Sequence, residues 1–335
     1  MPYTFDVIII GAGPAGLSCA EELKDSGQSV LIIEKSSVIG PKNCAGGLTP
    51  LAGNFDIPPE KTRTFNDPVL LLGDRKYRLH SHIPIRTIDR EDLGRHLLSK
   101  IAGGRNITIL TGLKVQSIHG CEVLTDRGTF RSRTLVGADG SFSVVRRSLG
   151  LITKMGFGFY FDIPRITDDF IMYFNPAVLR SGYLWVFPHV SYTSTGIGFD
   201  PDHLAVPEAK QILKKFITEL GFSYSGHHLR GGALSYYYAG FHFGPVYLAG
   251  DAAGLISKAT GEGISFAMAS GREIGRKILD ERYGMVEFKK MLRFKKRQES
   301  IWRVMEIIPP FQKSFLRVFF HLIGNKSLRS FFAHL

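Results

Sequence analysis

The 335-residue chain has few cysteines and no long apolar run. Its three cysteines, Cys19, Cys44 and Cys121, include no Cys-x-x-Cys pair and cannot form a disulfide framework, which favours a reduced, cytoplasmic protein. No apolar stretch approaches the roughly 18 residues of a membrane span, and the first residues lack the features of a signal peptide. We therefore expect neither a secreted disulfide-rich protein nor a membrane-spanning one.

Acidic residues are also scarce, and the shortage is local. The chain has 42 Lys and Arg against 30 Asp and Glu, a net charge of +12. From Met285 to Leu335 there are 11 basic residues against 3 Glu, a net of +8, so two thirds of the excess lies in this segment. This placement argues against a nucleic-acid groove on the body of the protein and predicts a basic terminal element that meets an anionic surface.

The beginning of the chain has the pattern of a βαβ unit. The length and the 44% apolar composition predict about two domains with substantial cores. The continuous apolar runs in residues 6–10 and 29–34 are typical of buried parallel strands. Between them, residues 14–24 carry helix formers, and Gly27 is a candidate for the C-terminal cap.

The later segments predict an interrupted first domain. A second helix opens at Asp89, and residues 107–135 have the pattern of a β-meander. Residues 151–243 predict a mostly antiparallel sheet with one helix near 207–220, after which a strand at 246–249 and a helix at 261–279 resume the first domain. The fold class is therefore α/β (α+β overall). The predicted parts are a Rossmann-like domain of residues 1–64, 83–150 and 244–283, a substrate domain of residues 65–82 and 151–243, and a basic helical segment of residues 284–335.

A Gly-x-Gly-x-x-Gly sequence lies between the first strand and the first helix. Such glycines let a dinucleotide pyrophosphate approach the backbone at the positive N-terminus of a helix. Glu34 closes the next strand, where a carboxylate can accept hydrogen bonds from ribose hydroxyls. The predicted dinucleotide contacts here are Gly11, Gly13, Ala15, Gly16, Glu34 and Lys35.

Two later glycine turns indicate which dinucleotide is bound. Gly137–Arg146 and Ala249–Gly254 both follow strands and both place an aspartate beside glycines. Asp251 can accept from a ribityl hydroxyl, and the helix near Gly261 can direct backbone N–H groups at the pyrimidine edge of a flavin. The predicted flavin contacts in these segments are Asp139, Gly250, Asp251, Gly261, Gly263 and Ile264.

These turns resemble those of flavoproteins with the para-hydroxybenzoate hydroxylase fold. More narrowly, Pro41–Leu48, Gly182–Pro188 and Gly250–Ile264 resemble the geranylgeranyl reductase family, over most of the chain up to about residue 284. Lys258 brings the chain closest to the chlorophyll-type branch of that family. Ala45 departs from the Cys-Gly-Gly sequence usual in that branch, and the chain is somewhat shorter than its plant and cyanobacterial members.

The resemblance implies an FAD-dependent oxidoreductase that saturates carbon–carbon double bonds of a prenyl chain. The first domain is then the FAD-binding domain, and reduced flavin supplies hydride. Cys44, Ala45 and Gly46 lie on the loop that this fold brings near the flavin, and Arg90 resembles an arginine near the adenine dinucleotide. The electron donor is NADPH, which would dock transiently, or a ferredoxin. No second Gly-x-Gly-x-x-Gly follows a strand, which argues against a disulfide reductase.

Several candidate residues have two interpretations at this stage. Tyr183, Trp185 and Phe187 alternate along a strand, so they either line an apolar tunnel or pack a core. Cys44 is either a proton donor to the alkene or a small buried filler. Lys258 either places a cation near the flavin or an anionic head group, or is a solvated lysine. His189 either relays protons or has a structural role. The predicted catalytic set is Cys44, Trp185 and Tyr183.

The leading hypothesis is an FAD-dependent prenyl reductase at a membrane surface. Its expected substrate is a prenyl lipid or a prenyl diphosphate, and its expected location is cytoplasmic, peripheral on a membrane bound through the basic C-terminal segment. That segment could equally cap the sheet domain. The alternatives are an FAD-dependent monooxygenase of the same fold and a flavoprotein that relays electrons to quinone. Neither nucleic acid nor a metal ion is an expected partner.

Overall fold

The structure is a computed structural model that describes residues 3–49, 55–79, 84–307 and 311–324. The described part contains eighteen strands and eight α-helices. The strands are β1 (Tyr3–Ile10), β2 (Val30–Ile33), β3 (Gly47–Leu48), β4 (Thr62–Phe65), β5 (Val69–Leu72), β6 (Arg75–Arg78), β7 (Ile85–Ile88), β8 (Ile107–Leu110), β9 (Val115–His119), β10 (Glu122–Thr125), β11 (Gly128–Gly137), β12 (Met155–Ile163), β13 (Ile171–Phe174), β14 (Tyr183–Pro188), β15 (Thr193–Phe199), β16 (Arg230–Ser235), β17 (His242–Phe243) and β18 (Val246–Leu248). The helices are α1 (Pro14–Leu23), α2 (Arg90–Ile101), α3 (Val144–Ser148), α4 (Pro176–Leu179), α5 (Val206–Glu219), α6 (Ile264–Leu279), α7 (Val286–Ile307) and α8 (Gln312–Gly324).

The first sheet has eight strands around a parallel centre. Its order is β17-β18-β11-β1-β2-β8, and β10 pairs with β11 and β9. Strands β18, β11, β1, β2 and β8 are mutually parallel, whereas β9, β10 and β11 form an antiparallel meander. The meander was expected to start at residue 107, but β8 instead extends the parallel sheet beside β2. The four residues of β2 are all buried, as expected for a strand covered on both faces.

Helices α1 and α6 pack against each other with their backbones in close contact. A Cβ atom at Gly271 would lie 2.1 Å from the carbonyl oxygen of Ala15, and one at Gly275 would lie 2.8 Å from that of Cys19. Only glycine therefore allows this crossing. Helix α6 begins at Ile264 rather than at Gly261, because Gly261 has a φ of +70°. Gly27 does not cap α1, which ends earlier with Lys24 as its C-cap.

The second sheet has seven strands in the order β16-β12-β15-β14-β13-β5-β6. All neighbours are antiparallel except β13 and β5, which are parallel. Helix α5 covers one face of this sheet through Ala209, Leu213 and Ile217, which are fully buried. A small third sheet, β3-β7-β4, lies in the segment between the first helix and the second. The α/β architecture with a mostly antiparallel second sheet is confirmed, while the residue boundaries of the domains stay a prediction.

The C-terminal segment contributes helices α7 and α8. Helix α7 packs against α6, and α8 packs Leu316 and Phe320 against the edge of the second sheet near Leu70 and Phe174. One face of the segment therefore caps the protein. None of the described helices combines the length and the apolar character required to cross a bilayer.

Candidate active site

The glycine turn between β1 and α1 is shaped by backbone contacts. Gly11 has a φ of +103°, and a Cβ atom there would lie 2.4 Å from the carbonyl oxygen of Ala138. A Cβ atom at Gly16 would lie 1.9 Å from the carbonyl oxygen of Gly11, whereas one at Gly13 would meet nothing within 4 Å. Gly11 and Gly16 are thus required by packing. Gly13 instead leaves open space at the N-terminus of α1, where an anion is favoured.

Glu34 is held at the end of β2 beside this turn. Its Oε2 accepts from the backbone N–H of Ala12 at 2.8 Å, and its Oε1 accepts from that of Ser36 at 2.9 Å. Each carboxylate oxygen keeps a second lone pair, which a ribose hydroxyl can use. Lys35 follows in an exposed position. Neither side chain lines the central cavity described below, and the ribose contact predicted for them stays a prediction.

Two buried side chains, Asp139 and Arg146, organise the second glycine turn. The Oδ2 of Asp139 accepts from the backbone N–H of Val144 at 2.6 Å, and its Oδ1 is buried without a partner among the described residues. Burial raises the pKa of this carboxyl. Ala138 and Gly140 line the cavity on either side, while the carboxylate turns toward α3. The flavin contact predicted for Asp139 stays a prediction.

Arg146 joins the second glycine turn to the third. Its side chain is 1% exposed and donates to the carbonyl oxygens of Ala252 at 3.0 Å and Tyr237 at 2.8 Å, and its Nε donates to that of Ile152 at 3.1 Å. A guanidinium can satisfy several carbonyls at once because it carries five N–H donors. Arg146 therefore fixes the position of Ala252, one residue after Asp251.

Asp251 lies in the wall of the cavity. Its Oδ2 accepts from Lys42 Nζ at 3.0 Å and from Ser141 Oγ at 3.3 Å. Gly250, with a φ of +56°, donates its N–H to Ser270 Oγ on α6 at 2.9 Å, which ties this turn to the helix. Lys42 is a residue that the sequence did not point to, because 209 positions separate it from Asp251.

Arg90 is a buried cation at the start of α2, in the wall of the cavity. It is 7% exposed, it lines the cavity, and its Nε has no partner among the described residues. A buried unpaired donor is costly, so this atom requires an acceptor. The unpaired Nε, the open space at Gly13 and the carboxylate of Asp251 together fit the anionic pyrophosphate and the ribityl hydroxyls of FAD.

One large cavity connects these turns with the second sheet. Its volume is about 1340 Å³, which exceeds the roughly 300–1,000 Å³ typical of a small-molecule pocket. Space therefore remains for a second ligand beside a dinucleotide. The wall contains glycine-turn residues at one end and aromatic side chains of the second sheet at the other. These aromatic residues include Tyr160, Phe170, Phe174, Tyr183, Trp185, Phe187 and Phe199.

The three aromatic residues of β14 lie on one face of the strand and line this cavity. The Oη of Tyr183 donates to the carbonyl oxygen of Thr260 at 2.6 Å, and Trp185 Nε1 donates to Ser194 Oγ at 3.2 Å. A Cβ atom at Gly196 would lie 2.3 Å from the Trp185 ring, so a glycine in β15 makes room for the indole. The aromatic face of β14 therefore lines the cavity and also packs against neighbouring side chains. The two interpretations of this face, a tunnel wall and a packed core, are compatible.

Cys44 lies on the loop that ends at β3. Its N–H donates to Tyr160 Oη at 3.0 Å, and its Sγ accepts from the N–H of Gly46 at 3.4 Å. His189 Nε2 donates to the carbonyl oxygen of Ala45 at 3.0 Å. Burial lowers the pKa of His189 to about 4, which keeps the imidazole neutral. His189 does not line the cavity, whereas Cys44, Ala45 and Gly46 do.

Glu262 is a buried acid in the cavity wall that sequence reasoning missed. It is 6% exposed and accepts a hydrogen bond from Thr49 Oγ1 and another from the Ser265 hydroxyl. Burial raises the pKa of Glu262 to about 7, against an ordinary value of 4.5. Burial and the nearby Cys44 and Glu262 also raise the pKa of the Tyr183 hydroxyl. The structure therefore brings Cys44, Tyr183 and Glu262 together.

Lys258 is half-buried and paired with two carboxylates. Its Nζ lies 3.2 Å from Asp200 Oδ2 and 2.8 Å from Glu306 Oε1, and it also stacks over the Tyr236 ring. These contacts join the second sheet, the loop before α6, and α7. Lys258 is thus not a solvated lysine. It lines the cavity, and the role predicted for it near the flavin or an anionic head group stays a prediction. No group of His, Cys, Asp and Glu residues in the described ranges has the arrangement of a metal site.

Comparison with known proteins gives consistent matches. The family model "FAD binding domain" matches residues 6–62. An uncharacterized protein of Methanosarcina barkeri is 33% identical over 80% of this chain and 72% of its own length. Digeranylgeranylglycerophospholipid reductase 3 of Methanosphaera stadtmanae is 28% identical, over 81% of this chain and 76% of its own. Geranylgeranyl diphosphate reductase of Rhodobacter capsulatus is also 28% identical, over 80% and 73%.

Solved structures show the same fold. A geranylgeranyl bacteriochlorophyll reductase-like protein from Thermoplasma acidophilum has a TM-score of 0.82 and 21% identity, and the match covers 97% of this chain and 93% of that one. A flavin-dependent brominase has a TM-score of 0.73 and 18% identity, over 98% and 92%. The two named reductases match this chain equally well, so the assignment to the chlorophyll-type branch stays a prediction. With the glycine turns and the cavity, these matches show that the chain belongs to the geranylgeranyl reductase family of FAD-dependent oxidoreductases.

Proposed function

We propose that this protein saturates carbon–carbon double bonds of a geranylgeranyl-type isoprenoid chain, with hydride supplied by reduced FAD. The observation that carries the proposal is the continuous cavity. It reaches from Gly13 and Asp251 at the nucleotide end to Trp185 and Phe187 at the aromatic end. A flavin in the middle of the cavity would have the glycine turns on one side and the aromatic wall on the other.

The residues that would hold FAD surround the first half of the cavity. The N-terminus of α1 binds the pyrophosphate, Glu34 binds the adenosine ribose, and Arg90 supplies the unpaired donor to an anionic oxygen. The N-terminus of α6 lies at the pyrimidine edge, where its partial positive charge favours a negatively charged ring. The proposed contacts are Gly11, Gly13, Ala15, Gly16, Glu34, Lys35, Cys44, Ala45, Gly46, Arg90, Asp139, Gly250, Asp251, Gly261, Gly263 and Ile264.

The aromatic end of the cavity binds the prenyl chain. Trp185 and Phe187 are each 6% exposed, and Phe170 stacks on Phe187 with 3.9 Å between ring centroids. Such a wall excludes water and offers no hydrogen bonds to a polar substrate. Burial of apolar surface therefore supplies the binding free energy, at about 25 cal/mol per Å². Tyr183 anchors the wall to Thr260, next to the proposed flavin-contact segment.

A proton must reach the second carbon of each double bond, because an isolated alkene has no carbonyl that could take up charge. Glu262 is positioned for this role in the proposed reaction. Its carboxyl lines the cavity, is buried, and has hydroxyl groups of Thr49 and Ser265 as its side-chain partners. With its pKa near 7, the Glu262 carboxyl is protonated in about half of the molecules in neutral solution, far more often than a solvated glutamate. Cys44, the donor predicted from the sequence, lines the same cavity and is the competing candidate.

The proposed function is tested by product mass. The flavin-loaded protein is reduced with dithionite without oxygen, because NADPH and ferredoxin are both open as physiological donors. It is then incubated with geranylgeranyl diphosphate and with geranylgeraniol. We expect products that gain two hydrogens per reduced double bond. Addition of one oxygen atom under air, with no hydrogen gain, would instead identify a monooxygenase, and reoxidation by quinone alone would identify an electron relay.

A further inference from the structure

Helix α7 carries a buried lysine that the site described above does not use. Lys295 is 2% exposed, and burial lowers the pKa of its ammonium group. Its Nζ donates to the carbonyl oxygens of Tyr236 at 2.9 Å and Ile256 at 2.8 Å, and it pairs with Glu299 one turn later on the helix. An ammonium group has three N–H donors, so all three find acceptors inside the protein. Lys295 therefore joins α7 to two segments of the cavity wall.

The loop of residues 255–263, which leads into α6, is bonded to α7 at three consecutive residues. The pairs are Ile256 with Lys295, Ser257 with Gln298 and Lys258 with Glu299, at 2.8, 2.8 and 3.4 Å. The three partners on α7 occupy positions i, i+3 and i+4, which places them on one face of the helix. This face of α7 therefore holds the middle of the loop in place.

The same loop residues fix the backbone that follows them. The carbonyl oxygen of Ser257 accepts from the N–H of Gly261 at 2.9 Å, and the N–H of Ser257 donates to the carbonyl oxygen of Glu262 at 3.0 Å. A Cβ atom at Gly263 would lie 3.1 Å from the Ile256 side chain, so the two residues are already in close contact. Residues 261–263 line the cavity, and their position depends on the part of the loop that α7 holds.

Helix α7 is also attached to the second sheet. Near its end, Glu306 pairs with Lys258 Nζ at 2.8 Å, and Trp302 Nε1 donates to the carbonyl oxygen of Ser181 at 3.2 Å. Ser181 lies two residues before the aromatic strand β14. Helix α7 therefore connects the aromatic wall of the cavity with the loop that leads into α6.

We propose that α7 positions the proposed flavin-contact loop and its proton donor, with Lys295 and Gln298 as positioning residues. The proposal rests on the proposed function for the roles of Gly261 and Glu262, and it gives the C-terminal segment a role beyond that of a cap. Buried carbonyl oxygens that lose their donor are costly. A loop without Lys295 should therefore rearrange until water reaches these oxygens, and residues 261–263 should move with it.

The test compares variants of the FAD-loaded protein. Lys295→Met removes the ammonium group and keeps a long side chain. Lys296→Met is the matched control, because Lys296 is exposed on the same helix and does not line the cavity. Gln298→Leu removes a single neutral acceptor, so it provides a folded variant even if Lys295→Met does not fold. Gln298→Glu keeps an acceptor oxygen for Ser257 and is the rescue variant.

The readouts are amide hydrogen exchange, the Kd for FAD, and kcat and KM. In Lys295→Met and Gln298→Leu, we expect the peptide of residues 255–264 to exchange at least about tenfold faster, while the peptide that covers β1 keeps its wild-type rate. FAD should bind about tenfold more weakly, and kcat should fall about tenfold with less than a twofold change in the KM for geranylgeranyl diphosphate. Lys296→Met should behave as the wild type, and Gln298→Glu should recover most of the losses seen in Gln298→Leu.

The proposal is wrong if a folded variant keeps the wild-type exchange rate in residues 255–264 or the wild-type affinity for FAD. Faster exchange spread evenly over all peptides, with a lower Tm, would also overturn it, because Lys295 and Gln298 would then have a general structural role. Equal losses in Gln298→Glu and Gln298→Leu would contradict the role of the hydrogen bond to Ser257. If the wild type reduces no isoprenoid, the proposed function fails, and exchange and FAD binding still decide whether α7 positions the loop.

Discussion

The nucleotide end and the aromatic end of the cavity are built in different ways. At the nucleotide end, Gly11, Gly16 and Ala138 touch through backbone atoms, so a single methyl group would not fit. At the aromatic end, the wall consists of side chains from β12, β13, β14 and the loops around Ala259. The first end is therefore a rigid feature of the chain itself, and the second is a surface that substitutions can reshape. The following variants test that difference, from the largest expected effect to the smallest.

Substitution of Gly16 by Ala should prevent folding of the nucleotide end. The new Cβ atom would lie 1.9 Å from a backbone oxygen, which no rotamer change can relieve. Gly13→Ala is the matched control, because its Cβ atom would meet nothing within 4 Å. We expect Gly16→Ala to give little soluble protein. Gly13→Ala should fold with an unchanged Tm but bind FAD at least about tenfold more weakly, as measured by flavin fluorescence. Equal behaviour of the two variants would contradict the account.

Arg146→Met should destabilise the junction between the second and third glycine turns. It leaves the carbonyl oxygens of Ala252, Tyr237 and Ile152 without their buried donor. At about 1–3 kcal/mol per unsatisfied group, the free energy of unfolding should fall by about 4 kcal/mol. Arg147, the neighbouring exposed residue, provides the control. Arg147→Met should change the free energy of unfolding by less than about 1 kcal/mol. Urea unfolding measures both, and similar losses would mean that burial of Arg146 has no special role.

Glu262→Gln should change the pH dependence of stability. The folded-state pKa of about 7 lies above the ordinary 4.5, so the folded protein binds more protons than the unfolded chain between these values. The free energy of unfolding of the wild type should therefore fall by about 3 kcal/mol as pH rises through this window. The variant should lack this decrease and be the more stable protein above pH 7. Identical slopes in urea titrations would show that Glu262 is ionised in an ordinary way.

The same variant tests the proposed proton donor. Wild-type kcat should fall as pH rises above about 7, and Glu262→Gln should lower kcat by at least about a hundredfold without that descending limb. Cys44→Ala is the comparison, since both side chains line the cavity. A large loss in Cys44→Ala together with near-normal rates in Glu262→Gln would assign the proton to the thiol.

Tyr183→Phe should give the smallest effect. It removes one hydrogen bond to the carbonyl oxygen of Thr260 and keeps the aromatic ring in the wall. We expect a loss of about 1 kcal/mol in unfolding free energy and less than about a tenfold change in kcat/KM. A loss of all activity with normal folding would show that the hydroxyl takes part in the reaction, beyond the role of the ring in the cavity wall.

The comparison also explains what the sequence could and could not predict. The βαβ unit was predictable because a continuous apolar run and a glycine turn are local patterns, and β1, α1 and β2 follow them. The role of Glu262 was not predictable from the sequence, because a carboxylate between two glycines has the pattern of a solvated turn. Its burial depends on Thr49, which is 213 positions away in the chain. The ion pair of Lys258 with Asp200 and Glu306 is non-local in the same way.

The helix boundaries show the same limit on a smaller scale. The prediction placed the start of α6 at Gly261, and the structure places it at Ile264, because Gly261 and Gly263 adopt non-helical backbone conformations. Residues 261–263 line the cavity rather than form the first turn of the helix. In the basic C-terminal segment, the composition predicted a positive net charge but not which side chains face the cavity. Only the structure shows that Met291 and Phe294 of α7 line the cavity from inside, while Lys290 and Arg293 are exposed at its border.

The central claim is that the cavity places a prenyl double bond beside reduced flavin, and anaerobic reoxidation tests it most directly. The flavin-loaded protein is reduced with one equivalent of dithionite, mixed with a geranylgeranyl substrate in the absence of oxygen, and followed by absorbance. The account predicts that the yellow colour of oxidised flavin returns in a single turnover, with two hydrogens gained by the substrate for each flavin reoxidised. Flavin that stays colourless until oxygen is admitted, with the substrate recovered unchanged, would contradict it.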